Sequence, residues 1–210
     1  NFENTIEWFV EEFIDQDVGL ILKTNIASNS LIDWEYLEER VSLILSQYSE
    51  RKCKVYLLHG DLTPGQMTWL YNHDNIKSIV NIAHGEGFGL PLFEAAREGL
   101  PVTTIGWSGQ LDFLHHNNNN YFNEVDHTIQ PIQREAVWEG VLEADSMWAY
   151  ANQGSYKMAL RRMYKNYDSY KETAEELKTI VNDKFSDEKL FKLFIEQILQ
   201  PEDQKKHITI

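Results

Sequence analysis

Apolar and polar positions alternate along the chain in a way that predicts short strands separated by amphipathic helices. Ile6, Phe9, Val10 and Phe13 recur at helical spacing and predict a first helix. The apolar run at 18–23 predicts a strand. Asp33 is placed to cap a second helix with apolar positions Trp34, Leu37, Val41, Leu45 and Tyr48. A strand follows at 54–58. Thr63-Pro64-Gly65-Gln66 then reads as a capping box with proline at the first position, opening a helix to about Tyr71.

The stretch 79–105 organises the rest. Residues 79–83 are apolar enough for a strand buried on both faces. A turn holding Gly85, Gly87 and Gly89 comes next, and Pro91 suits the start of a helix over 92–98. Gly99 and Pro101 stop that helix, and 102–105 is β-rich again. Strand, turn, helix and strand make a βαβ unit, which implies a parallel sheet. Beyond it, His115-His116 and the asparagines at 117–120 predict a polar hinge or loop, and 121–132 contains a last strand. The remainder reads as helices at about 134–152, 155–167, 170–183 and 186–200, with Pro201 ending the last. The fold class is α/β. The expected domains are 1–185, a Rossmann-like unit, and 186–210, a C-terminal helix and tail.

In an open parallel sheet, ligands bind beyond the C-terminal ends of the strands. Glycines admit a ligand close to the backbone, and a helix N-terminus offers unpaired N–H groups to an anion. Glu86 and Glu94 flank this spot. Carboxylates repel phosphate, so they suit hydroxyls instead. A phosphate between two sets of hydroxyls describes a nucleotide sugar. The expected geometry brings both glutamates to one pocket floored by main-chain nitrogen. The plainer alternatives are that Glu94 only complements the helix dipole or pairs with Arg97, and that Glu86 is an ordinary turn residue.

Charge changes the picture further. The 210 residues carry a net charge of -14, which argues against general nucleic-acid or anionic-membrane binding. Lys23, at the end of the first strand, is either a solvated charge or the local cation an anionic ligand needs. A single cysteine, Cys53, excludes an internal disulfide, fits a reducing and hence cytoplasmic setting, and reads as a packing residue. Asp15-Gln16-Asp17 and the histidine doublet both resemble metal-site fragments. The first falls in a turn away from the ligand end, and the second lacks partners at ligand spacing, so no metal is expected. Lys157, Arg161, Arg162 and Lys165 form a basic helix face, read as solvated in preference to membrane-binding.

The segment from Glu86 to Glu94, EGFGLPLFE, sits in the frame HGEGFGLPLFEAAREGLPVTT and is followed by Ser108-Gly109 and Asp112-Phe113. This frame resembles retaining glycosyltransferases of the GT-B fold, in particular glycosyltransferase family 4. The resemblance implies a C-terminal, donor-binding half: a Rossmann-like sheet with a helical C-terminal extension. It implies sugar transfer from a nucleotide-diphosphate sugar to a hydroxyl acceptor without a metal. Glu86 would be the catalytic-site carboxylate, holding hydroxyls of the donor sugar. His84, Gly85, Gly87, Phe88, Gly89 and Leu90 would line the donor, Glu94 would accept from the ribose, and Lys23 would support the phosphates. Gly60 and Asp61 would lie on the base side. The loop Gly106-Trp107-Ser108-Gly109 either touches the donor or is a plain turn. An upstream arginine and lysine and an acceptor-binding N-terminal domain are expected to precede Asn1. A phosphorylase, a nucleotide-sugar epimerase and a non-catalytic carbohydrate- or partner-binding domain remain the alternatives.

Overall fold

The computed structural model describes residues 1–27 and 29–198. Helix α1, Phe2–Phe13, buries all four residues of its predicted apolar face: Ile6, Phe9, Val10 and Phe13. Strand β1, Gly19–Lys23, turns Leu20 and Leu22 inward and exposes Ile21, so only one of its faces meets the core. Asp15 and Asp17 lie in the turn between α1 and β1, at the strand's N-terminal end.

Helix α2, Leu31–Leu45, is capped by Ser30 and not by Asp33. Ser30 has the extended backbone a cap requires, and its hydroxyl accepts from the Asp33 amide at 3.1 Å. The Asp33 side chain turns back to accept from Ile26 N at 2.9 Å and from His59 Nε2 at 2.9 Å. Strand β2, Lys54–Leu58, pairs parallel with β1. Helix α3, Pro64–Tyr71, carries the complete Thr63–Gln66 capping box with proline in its first turn.

Strand β3, Ile79–Asn81, is shorter than 79–83 and half-buried. Asn81 stops it: its side-chain oxygen accepts from Ala83 N at 2.7 Å and bends the chain. Helix α4, Leu90–Arg97, starts at Gly89 and ends before Gly99, whose φ of 75° is the left-handed cap that glycine supplies. Strand β4, Val102–Ile105, is buried along its whole length, because it pairs with a strand on each side. Helix α5, Leu111–Leu114, leads into a tight hairpin of β5, His115–His116, and β6, Asn119–Asn120. Asn117 and Asn118 turn that hairpin with positive φ, as the polar run predicted.

Strand β7, Asn123–Val125, adds in parallel to β4 and completes the order β3-β4-β7. Strands β8, His127–Pro131, and β9, Met147–Ala151, form an antiparallel ribbon. This overturns the helix expected at 134–152. Helical structure there is limited to a 3-10 turn at Arg134–Ala136. Gly140 at φ 80° and a bridge between Trp138 and Leu142 fold the connection back on itself.

Helices α6, Gln153–Lys165, α7, Tyr167–Lys184, and α8, Asp187–Ile198, follow. The expected end of α8 at Gln200, the stop at Pro201 and the tail to 210 lie outside the described residues. One core packs α1, β1 and α6 around Ile82, Ile105, Val125 and Tyr156. A second joins α4 to α7 through Leu92, Ala96, Phe113, Leu177 and Val181. Each such fully buried large aliphatic contributes about 1.5–3 kcal/mol over exposure. Two basic residues of α6 turn toward α1: Lys157 bonds Glu11 at 2.6 Å, and Arg161 grips Glu12 through two contacts of 2.6 and 2.7 Å, while Arg162 donates to Asn123 Oδ1 at 3.1 Å and to the Glu124 carbonyl at 3.0 Å. Among the described residues no helix is long and apolar enough to cross a membrane.

Candidate functional site

Parallel pairing puts the exits of β3 and β4 at one end, and the two loops leaving them lock together. Ser108 adopts φ 86° in the loop after β4. Its hydroxyl accepts from Glu86 N at 3.0 Å and donates to Glu86 O at 2.7 Å, and Gly109 N donates to the same carbonyl at 2.9 Å. A Cβ on Gly109 would stand 2.0 Å from the Gly87 carbonyl oxygen, so only glycine permits this approach. The glycine turn is therefore clamped at Glu86 from both sides of its peptide. The sequence placed Ser108 and Gly109 in a loop of open role; their place is under the turn.

The Glu86 carboxylate accepts from Asn81 Nδ2 at 2.7 Å. Asn81 thus ends β3 with its oxygen and orients Glu86 with its nitrogen. Glu86 is half-buried, and Gly85 and Gly87 on either side of it are exposed. Phe88 sends its ring inward against Phe93, Phe113 and Phe185 and leaves only its backbone to the turn. Gly89 is buried, with φ 83°, beside Gln110. Leu90 opens α4 and is 61% exposed.

Glu94 occupies a different place from the one expected. It is exposed and accepts from the Tyr71 hydroxyl at 3.3 Å. It lines a cleft of about 340 Å³ between α3 and α4, together with Leu62, Met67, Tyr71 and Arg97. The glycine turn does not line this cleft. The two glutamates thus face separate partners, and Glu86 does not line the cleft that holds Glu94. Glu94 does not pair with Arg97, which donates to Asn182 instead. Burial and the nearby Glu94 carboxylate push the Tyr71 hydroxyl well above the usual tyrosine range, so it stays a donor.

Lys23 and Gly60 are brought together, the ammonium donating to the Gly60 carbonyl. Gly60 has φ 100°, and Asp61 beside it is exposed. The neighbouring His59 is tied to Asp33, both side chains 8% exposed. The His59 hydrogen bond first, and the Ile26 amide second, hold the Asp33 carboxyl below its ordinary range. Among the described residues, no hydrogen bond links Lys23 or Gly60 to the glycine turn.

His84 stands just before the turn and is bound to β9, the strand that sequence reasoning took for helix. Ala149 N donates to the His84 carbonyl at 3.1 Å, and His84 Nδ1 meets the Ala149 carbonyl at 2.7 Å. The ring stacks on Trp148 at 4.4 Å and 7°, and Tyr150 closes on its edge at 4.8 Å. Burial lowers its pKa from 6.5. Trp148 and Tyr150 were missed because their run lacks β-branched residues. The alternation of large and small in Met-Trp-Ala-Tyr-Ala was the signal available.

No protein-family model matches the chain, and no curated protein sequence matches it. Solved structures do. Anabaena Alr3699/HepE, crystallised with UDP and glucose, aligns over 92% of this chain at 13% identity and a TM-score of 0.58. The pneumococcal O-GlcNAc transferase GtfA with UDP and GlcNAc aligns over 96% at 16% identity and a TM-score of 0.44. The catalytic domain of starch synthase IV from Arabidopsis thaliana, bound to ADP and acarbose, aligns over 84% at 11% identity and 0.42. The last two likenesses are too loose to bear on the fold. This chain covers 44% of HepE, 34% of GtfA and 38% of the starch synthase. At these identities the likeness is one of fold, and the fold is the expected one: parallel sheets flanked by helices, as in the Rossmann-like C-terminal half of a GT-B protein.

Proposed function

We propose that this chain binds a nucleotide-diphosphate sugar and forms the donor-binding part of a retaining GT-B glycosyltransferase, of the family 4 type. One observation carries the reading: the glycine turn is pinned at Glu86 by Ser108 and Gly109, with its carboxylate held by Asn81 at the C-terminal end of the sheet. A carboxylate fixed beside open backbone is an acceptor for hydroxyls and a poor neighbour for phosphate. Glu86 would hold the hydroxyls of the donor sugar. The backbone around Gly87, Phe88 and Gly89 would approach the sugar and the diphosphate. Glu94, in the α3–α4 cleft, would accept from the ribose, with Leu62, Gly60 and Asp61 toward the base. Lys23, anchored on the Gly60 carbonyl, would add positive charge near the phosphates. UDP in the HepE crystal is compatible with this reading.

The reaction would transfer the sugar to a hydroxyl acceptor with retention. The demanding event is departure of the phosphate leaving group as positive charge builds on the sugar. Preorganised main-chain N–H groups stabilise the growing phosphate charge and cost no reorganisation when it develops. The reaction in this proposal is metal-independent. It needs no general base from this half, since the leaving phosphate takes the acceptor's proton on the retained face. The acceptor site and further basic residues would come from a separate N-terminal domain, so the chain by itself should bind donor weakly and turn over poorly.

The test is a titration of the chain with UDP, GDP and ADP and with their sugars. Saturable binding of one nucleotide, weakened in E94Q, supports the reading. If a sugar phosphate binds without its nucleotide, the phosphorylase alternative gains. If nothing binds, a non-catalytic role is favoured.

A further inference from the structure

We propose that the cavity where α6 meets α7 binds a phosphate group, held as a dianion by Arg161, Arg162 and Lys165. This second site is separate from the glycine turn, and it stands or falls without the nucleotide-sugar reading.

An open cavity of about 230 Å³ is lined by Met158, Arg161, Arg162, Lys165 and Asn166. The first four recur three or four residues apart on α6, so they share one face, turned away from the buried Tyr156, Ala159 and Met163. Asn166 joins α6 to α7. Neither the glycine turn nor Lys23, Glu86 or Glu94 lines this cavity. A water takes about 30 Å³ of liquid volume, so the space admits a phosphate group and part of its carrier.

Three cations gathered here run against the composition, since the chain has 33 acidic residues to 19 basic ones. Of these carboxylates only Glu12 joins the group, and it takes Arg161 alone, through Nε and Nη2. Arg162 is fixed by neutral oxygens. Its Nε and Nη2 donate to Asn123 Oδ1 at 3.3 and 3.1 Å, and Nη2 donates to the Glu124 carbonyl at 3.0 Å. Asn123 is buried and donates in turn to Thr103 Oγ1 and the Ala159 carbonyl, so the guanidinium is held in place before any ligand arrives. Among the described residues no ion pair involves Arg162 or Lys165, and exposed Asp168 in the first turn of α7 pairs with none of the three. Nη1 of each arginine and the Lys165 ammonium have no acceptor among the described residues.

Glu12 offsets one positive charge of three. The two that remain match a phosphate monoester, which carries about −1.5 to −2 near neutrality, better than a carboxylate with its single charge. Phosphate also offers three acceptor oxygens to the uncommitted donors, and guanidinium suits their geometry. Inorganic phosphate, a soluble phosphate ester and a phospholipid headgroup share this chemistry.

The test titrates the wild-type chain with inorganic phosphate at about pH 8, where the dianion predominates, at constant ionic strength and with amide NMR shifts as the readout. Saturable shifts centred on residues 158–168, with a much weaker response to acetate, are expected. K165Q should weaken phosphate about fivefold, the weight of one charge near contact, and K165R should stay within about twofold. K192Q removes the same charge from α8 and should change nothing. A second arm sediments the chain with vesicles of phosphatidylcholine and phosphatidic acid. Co-sedimentation that K165Q abolishes makes a lipid headgroup the source of the phosphate. Phosphate binding without co-sedimentation makes the source a soluble one. Shifts that do not saturate or centre on residues 84–94, equal loss in K165Q and K192Q, or no response to phosphate and vesicles alike each overturns the proposal. A chain that binds phosphate here and no nucleotide removes the donor reading and keeps this site.

Discussion

Glu86 and Glu94 do different work by geometry. Glu86 belongs to a rigid turn, and Glu94 to an open cleft between two helices. Their substitutions should therefore separate. E94Q is expected to weaken nucleotide diphosphate and nucleotide sugar alike, about tenfold, because a ribose contact is common to both. E86Q should spare the diphosphate and weaken the sugar by at least about tenfold, since one charge-assisted hydrogen bond is worth about 1.5–3 kcal/mol. Calorimetric titration of both ligands against both variants checks the pair of expectations. Gly109 gives a stability test at the same scale. G109A forces a Cβ to within 2.0 Å of the Gly87 oxygen, backbone against backbone. It should cost at least the upper part of the ~1–3 kcal/mol typical of overpacking, read in denaturant melts.

The elements show what periodicity and local chemistry can and cannot convey. The βαβ core was legible because each boundary carried its own signal: Pro91 in the first turn of α4, Gly99 in a left-handed cap, apolar runs for β3 and β4. The α3 capping box was equally legible, and T63A should cost about 1 kcal/mol through the lost cap. The ribbon was not legible. Its strands pair with each other and β9 also with His84, contacts between distant parts of the chain that leave no helical or alternating stripe of simple hydrophobicity. The cap of α2 was misplaced by three residues because Asp33, a good cap by type, is recruited by His59 and the Ile26 amide. Of the site, the glycine turn and Glu86 were visible as a motif. Asn81, Tyr71 and Trp148 were not, since each matters only through a partner brought close by folding.

At the scale of the molecule, acidity sets the pH response. Lys157 lowers the Glu11 pKa by hydrogen bonding, Lys171 does the same for Glu175, and His59 does so for Asp33. A carboxyl depressed in the folded state binds fewer protons there than when unfolded. Its stabilisation is present above the unfolded pKa and lost as pH falls through the folded one. His84 has the same sign for a different reason: burial lowers its pKa from 6.5, so the unfolded chain takes up the proton first as pH falls. The Asn1 amine, also lowered from 8.0 by burial, acts with the same sign, so the melting temperature should decline gently below about pH 8 and fall steeply below about pH 4.5. H84N should reduce the decline near pH 6.5 and keep the steep one, as thermal melts across pH will show.

The most direct test is a heteronuclear NMR titration of the chain with UDP, GDP and ADP sugars. Saturable amide shifts centred on residues 84–94, with side-chain contacts from Glu86 to the sugar and Glu94 to the ribose, are the expected result. Shifts that are absent for all three sugars, or that map to a surface remote from that turn, would contradict the account.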